Sequence, residues 1–198
     1  MTDRSAFSTL HRLEAITQSA PDEEITLGWL VDQLNERAFG FMLLILALPC
    51  CIPFLYGVPQ VASLPLLFIS AQLALGRHAP WLPDRLRERT ISRERLRSMV
   101  VRAAPYLRLY ERVSRPRLRF LARSPAANIV GLALMLFSAS ILTPLPLTNT
   151  TPGIAVALAA LGFLQCDGLA VILGALLGIV WLSLLITAAF GLISFLVF

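Results

Sequence analysis

Twice in this chain an apolar run is interrupted by prolines that come with neutral hydrogen-bonding side chains. The first break reads Pro53-Phe-Leu-Tyr56-Gly57-Val-Pro59-Gln60, and the second reads Thr143-Pro144-Leu-Pro146-Leu-Thr148-Asn149-Thr150-Thr151-Pro152-Gly153. A helix broken inside a membrane leaves main-chain N–H and C=O groups unpaired, and these persist only where protein or a water-lined cavity satisfies them. Pro53, Tyr56, Gly57, Gln60, Thr143, Pro144, Thr148, Asn149 and Thr150 are therefore the candidate substrate-binding residues. A helix starting after Pro59 or Pro152 would turn the positive end of its dipole toward an anionic group. The other reading of the same residues is that they cap helix ends and pack the hairpins together, and residue types alone leave both open.

A second set is structural or gating in character. Arg77 and Asp167 stand at the exits of the two apolar segments, where they could form an ion pair, with an exposed interfacial aspartate as the alternative. Gln72 and Gln165 lie in or at the edge of the return legs, where a carboxamide commonly bonds another helix. His11 and His78 are far apart, with no HExxH, no paired carboxylates and no Ser-His-Asp layout, so no enzyme activity, metal or cofactor is expected. Cys50, Cys51 and Cys166 lie in apolar runs without CxxC spacing and read as small buried residues.

The elements that must hold these residues follow from composition. With 57% hydrophobic residues, 15% charged residues and a mean hydropathy of +0.73, the expected class is an all-α integral membrane protein. The charges are segregated. Residues 1–39 carry three Arg and seven acids, 40–76 none, 77–123 fourteen Arg and four acids, and 124–198 only Asp167, giving the net +5. Five segments result: cytoplasmic amphipathic helices (1–39), a first membrane hairpin (40–76), an Arg-rich cytoplasmic amphipathic segment (77–123), a second membrane hairpin (124–168) and a C-terminal membrane helix (169–198). The basic segment has the pattern of a positive-inside loop rather than a nucleic-acid surface. Its Arg85, Arg87, Arg93 and Arg97 could hold anionic lipid head groups or a polyprenyl phosphate, or could serve topology alone. The first 37 residues lack a basic region followed by an apolar one, so the N terminus is expected in the cytoplasm of a multi-pass inner-membrane protein.

Within these segments, Phe7, Leu10, Leu13 and Ile16 suggest one amphipathic helix, and Asp22-Glu23-Glu24 ahead of Ile25, Leu27, Leu30, Val31 and Leu34 suggests a second with acids in its first turn. Ser92 should cap a helix carrying Leu96, Met99, Val100, Ala103, Leu107 and Tyr110 on one face, kinked at Pro105. The uncharged run 40–75 would reach about 54 Å as one helix, well beyond a hydrocarbon core of about 30 Å, so it must turn back. The return leg of the second hairpin, Ile154 to Cys166, would reach only about 20 Å, favouring a re-entrant hairpin. Residues 169–198 suffice for one tilted span, with room for a fold-back. At an offset of 91 (131 − 40) the hairpins overlay Gly40 on Gly131, Pro53 on Pro144 and Leu67 on Leu158, a shared layout that suggests an internal repeat.

The order Ile25-Thr-Leu-Gly28-Trp-Leu, Glu36-Arg37-Ala-Phe39-Gly40, Leu48-Pro49, Ile52-Pro53, Leu64-Pro65-Leu, Ala71-Gln72-Leu, Gly76-Arg77, Pro80-Trp81-Leu-Pro83, Ser92-Arg-Glu-Arg-Leu96 and Asp167-Gly168 resembles the bacterial exopolysaccharide-synthesis protein ExoD family. Cys50-Cys51 departs from the small or polar residues expected after Pro49. The resemblance implies an inner-membrane protein linked to exopolysaccharide production and, in some bacteria, to alkaline tolerance; it implies no known reaction. The expected function is a small transporter or polyprenyl-phosphate carrier-handling protein with its site between the hairpin tips, surrounded by membrane lipid, with homo-oligomerisation open. The alternative is a scaffold that recruits polysaccharide assembly machinery through the basic segment.

Overall fold

The computed structural model describes residues 15–16, 24–35, 37–53, 55, 57–98, 100–101, 104–105, 125–143 and 148–197. The expected site residues Tyr56 and Pro144 lie outside them, as do most of the first amphipathic helix and the basic stretch from 106 to 123.

The chain is mostly helical, but its first described element is a short strand, β1 (Glu24–Thr26). Glu24 does not open a helix, and Asp22 and Glu23 lie outside the described residues. Thr26 is extended, its hydroxyl accepts the Trp29 N–H at 3.2 Å, and helix α1 starts only at Leu27 and ends at Leu34 with no acid in its first turn. Side-chain capping by Thr26 outweighs dipole-favoured acids because it satisfies an N–H that the helix start leaves unpaired. The elements that follow are α2 (Arg37–Ala47), a 3-10 turn (Leu48–Cys51), α3 (Val58–Ala74), α4 (Asp84–Arg87) and β2 (Thr90–Ser92). β1 and β2 pair antiparallel with Ile25 opposite Ile91, a two-stranded clip that the all-helical expectation did not include. A helical stretch then begins at 93, where Ser92 Oγ accepts the Arg95 N–H at 3.4 Å.

Three further helices complete the described chain: α5 (Ala126–Ile141), α6 (Thr150–Gln165) and α7 (Gly168–Val197). α6 begins four residues earlier than the expected leg and runs for 16 residues, about 24 Å. Pro152 does not delay it, because a proline in the first turn forfeits only an N–H that has no partner there. α7 is one continuous helix of 30 residues without a fold-back. Its Gly168–Gly191 portion is the one described helix long and apolar enough to cross a membrane, and only 22% of its most apolar window is buried, unlike the core helix of a soluble domain.

Glycines set how these helices interlock. A Cβ on Gly40 would come 2.5 Å from Leu164 N and 2.7 Å from Ala160 O, so α2 and α6 touch backbone to backbone. A Cβ on Gly131 would come 2.5 Å from Ala74 N and 2.8 Å from the Leu73 carbonyl carbon, joining α5 to α3 in the same way. Gly174 lies against Ala155 O and Ala159 N, which seats α7 on α6. Close approach at small residues lets helix backbones gain van der Waals contact with one another. Phe39, Leu43, Leu66, Leu134, Phe137 and Val156 fill the core so formed. A second cluster joins Ile25, Leu30, Val31, Leu34, Leu82, Leu96 and Val100 to Ala38 and Leu164, so the amphipathic elements at that end are covered by the helix bundle itself.

Both interlocked pairs are antiparallel, since early positions of α2 and α5 meet late positions of α6 and α3. The bundle therefore has two unlike ends. Arg37, Arg77 and Asp167 all fall at one end. The other holds the 3-10 turn, the starts of α3 and α6 and the end of α5.

Candidate functional site

At the uncharged end, the carbonyl that closes α2 and the first turns of α3 and α6 meet at Cys50. Cys50 is fully buried, with Sγ 3.8 Å from Pro59 O and 3.6 Å from Leu46 O. A Cβ on Gly153 would come 2.8 Å from the carbonyl carbon and oxygen of Cys50, so α6 starts directly on the turn that follows α2. Gly153 N–H donates to Asn149 O at 3.0 Å, which ties the residue before α6 into its first turn. Gly57, with φ of 80°, precedes α3; glycine reaches this conformation without the cost other residues bear, and the chain can reverse there.

Three buried polar atoms have no hydrogen-bond partner among the described residues: Gln60 Oε1, Asn149 Oδ1 and Trp181 Nε1. Gln60 follows Pro59 in the first turn of α3. Asn149 is 8% exposed and occupies the N-cap position of α6, yet its backbone is already helical (φ −82°, ψ −27°) and its side chain makes no capping bond. An asparagine there would ordinarily accept from the second or third helical N–H. Trp181 lies on the same face of α7 as Gly174 and Gly178, whose neighbours are Ala155 and Ala159 of α6 and the Phe137 ring of α5. Seven residues beyond Gly174 is about 10 Å along α7, which brings Trp181 level with residues 148–150 of the antiparallel α6. The three residues thus stand at one level along the bundle, the layer in which α3 and α6 begin.

Buried polar groups elsewhere in these helices are satisfied. Ser70 Oγ donates to Leu66 O at 2.8 Å and Ser138 Oγ to Leu134 O at 2.7 Å. A buried polar group left unpaired costs about 1–3 kcal/mol, so Gln60, Asn149 and Trp181 stand apart from the satisfied serines.

Of the expected tip residues, Pro53, Gly57 and Thr143 are exposed, Thr148 and Thr150 are half-buried, and Gln60 and Asn149 supply the inward-facing unpaired atoms. Gln72 acts at the opposite end. It is 5% exposed, donates through Nε2 to Trp81 O at 3.1 Å and accepts the Trp81 N–H at 2.6 Å, so it clamps the loop after α3 rather than another helix. Trp81 in turn sits edge-on to Phe68, with ring centroids 6.1 Å apart. Arg77 is exposed, whereas Asp167 is buried and accepts the Leu169 N–H at 3.0 Å. Arg87 crosses the space that a Gly28 side chain would fill and pairs with Asp32 at 2.5 Å, fastening α4 to α1. Both partners are about half exposed, so the pair contributes at most about 1 kcal/mol. Arg85 and Arg97 are exposed, and Arg93 is half-buried.

Sequence reasoning missed two residues. Trp181 was absorbed into an apolar tail, although an indole N–H amid aliphatic residues is a donor that needs a partner when buried. Arg37 is 8% exposed at the start of α2, level with buried Asp167 because Gly40 meets Ala160 and Leu164. A basic residue at the first position of an otherwise apolar helix was the available signal.

Residues 9–187 match the family described as exopolysaccharide synthesis, ExoD. The chain is 36% identical over 164 residues to Protein ExoD of Rhizobium meliloti (strain 1021), covering 80% of this chain and 68% of that protein. It is 26% identical over 167 residues to the uncharacterized protein slr1875 of Synechocystis sp. (strain ATCC 27184 / PCC 6803 / Kazusa), covering 81% of this chain and 79% of that one. No solved structure matches.

Proposed function

The chain belongs to the ExoD family of exopolysaccharide-synthesis proteins, and from that premise we propose that it is a multi-pass protein of the bacterial inner membrane acting as a small transporter or lipid-carrier handler. Its substrate sits in the layer where α3 and α6 begin. The observation that carries this reading is the set of buried, unpaired atoms Gln60 Oε1, Asn149 Oδ1 and Trp181 Nε1 at that level. No chemical step is assigned to the protein.

Membrane embedding is supported by the apolar surface the helices turn outward: Val61, Leu64 and Phe68 on α3, Ile129, Leu132 and Leu136 on α5, and Leu173, Leu176, Ile179 and Val180 on α7. Helices α3, α5 and α6 have 16 or 17 residues, about 24–26 Å, short of a hydrocarbon core of about 30 Å and in keeping with re-entrant hairpins whose turns lie within it. The interlocking glycines support an internal repeat. Gly40 meets Leu164 and Gly131 meets Leu73, so each contact maps onto the other at one offset (131 − 40 = 91; 164 − 73 = 91).

Reconstitution of the purified protein in liposomes, with translocation of polyprenyl phosphate, its glycosylated form and small anions followed, tests the proposal together with complementation of a deletion strain. Movement of a substrate, lost on Gln60→Leu and Asn149→Leu, supports it. If nothing moves and both variants restore exopolysaccharide production, the reading fails. Exposed Arg85 and Arg97 favour a second reading, a scaffold that recruits assembly machinery from the charged end; there, neutralising these arginines abolishes complementation while the tip variants retain it.

A further inference from the structure

The starts of α3 and α6 present both hydrogen-bond acceptors and donors but no described charge, and this combination selects the chemistry of what binds. Gln60 Oε1 and Asn149 Oδ1 are unpaired acceptors, and Trp181 Nε1 is an unpaired donor, all among the described residues. The opening turn of α6 adds main-chain N–H groups, because the first N–H groups of a helix have no partner within it. One potential donor is missing, since Pro152 has no N–H.

The described charges lie elsewhere. Arg37 opens α2, Arg77 follows α3 and Asp167 follows α6, each a helix length away from the layer in helices of 11 to 17 residues. At 1.5 Å per residue the 16- and 17-residue helices put Asp167 and Arg77 about 24–26 Å from it. An anion in the layer would meet carboxamide oxygens without a neighbouring cation, and burying an uncompensated charge is among the costliest acts in a protein. Turning both carboxamides over would offer NH₂ groups instead, but that supplies no positive charge. A hydroxyl group both donates and accepts, so it satisfies Gln60 and Asn149 in either orientation while accepting from the Trp181 indole.

On the reading that the substrate sits in this layer, we propose that the group bound there by Gln60, Asn149 and Trp181 is uncharged and rich in hydroxyls, a glycosyl unit rather than a phosphate. Any phosphate or lipid tail attached to it lies outside the layer. The indole N–H reports occupancy directly, because its hydrogen bonding changes Trp181 emission.

The test uses the full-length chain in nanodiscs with Trp29→Phe and Trp81→Phe, leaving Trp181 as its tryptophan. Octyl glucoside below its micelle concentration is titrated against octyl phosphate; the tails are identical and only the heads differ. A saturable shift of Trp181 emission with octyl glucoside is expected, weakened roughly 5- to 10-fold in Gln60→Leu and separately in Asn149→Leu, since each removes one hydrogen bond. Asn149→Ser, which keeps a hydrogen-bonding oxygen, should retain more affinity than Asn149→Leu, and thermal unfolding verifies that each variant is folded. A saturable response to octyl phosphate and none to octyl glucoside overturns the inference and leaves the tip-layer site standing. A glucoside response unchanged in the variants overturns it too, because the sugar then binds elsewhere. No saturable response to either probe overturns both the inference and the proposed site.

Discussion

Replacing Gly131 by alanine is the sharpest probe of how the two helix pairs interlock. The added Cβ would lie 2.5 Å from Ala74 N, 2.8 Å from the Leu73 carbonyl carbon and 2.9 Å from Ala74 Cα. All three are backbone atoms of α3, so no side chain can swing away and the helices themselves must separate by about 1 Å to reach ordinary contact distance. Overpacking of this kind costs typically 1–3 kcal/mol. Alanine regains up to about 1 kcal/mol of helix propensity over glycine, so the net loss should be about 1–2 kcal/mol. For a chain of this size that lowers Tm by about 2–8 °C. Gly40→Ala meets Leu164 N at 2.5 Å and Ala160 O at 2.7 Å on α6 and should lose about as much. Gly191→Ala, with nothing within 4 Å of its Cβ, should leave Tm unchanged or raise it slightly. The assay is thermal unfolding of the detergent-purified chain, followed by the loss of the monodisperse peak in size-exclusion chromatography. A Gly131→Ala protein as stable as the Gly191→Ala control would refute the backbone-to-backbone packing of α5 on α3, and with it the interlock.

Three other substitutions test the charged end. Gln72→Leu removes both hydrogen bonds that hold the Trp81 backbone and should cost about 1–3 kcal/mol while increasing proteolysis between residues 77 and 83; unchanged protease resistance would show that the loop holds without its clamp. Arg37→Met and Asp167→Leu each leave a buried charge in place, and each should destabilise by about 3–5 kcal/mol, whereas the double variant should lose much less than the sum. Additive losses in a double-mutant cycle would show that the two charges, although level, are not coupled.

Much of this protein was legible in the order of its residues, because charge burial and proline stereochemistry act on short stretches of sequence. Uncharged runs bounded by Arg77, Arg123 and Asp167 marked the helices, and Pro49, Pro53, Pro59, Pro144 and Pro152 marked the breaks, whereas Pro65, expected to interrupt the first run, stands inside α3. Ser92 announced the helix that follows it, since a hydroxyl before an apolar-periodic stretch has a local partner to find. Local rules failed where two segments distant in sequence competed for one residue. Glu24 was taken by pairing with Ser92 on β2 instead of opening a helix, and Gln72 was taken by the Trp81 backbone.

By itself, then, the sequence determined that the chain is mostly helical, where its charges end and where its apolar helices break, because periodicity, proline stereochemistry and the cost of burying charge all act over a few residues. Only the tertiary structure decided which of the residues near the breaks turn inward. Pro53, Gly57 and Thr143 turned outward, whereas Gln60 and Asn149 were left unpaired inside, and Trp181 was brought level with them from 32 residues beyond Asn149 (181 − 149 = 32). That selection depends on the antiparallel register set by Gly40, Gly131, Gly153 and Gly174, and register between helices is a property of packed backbones that no single stretch of sequence contains.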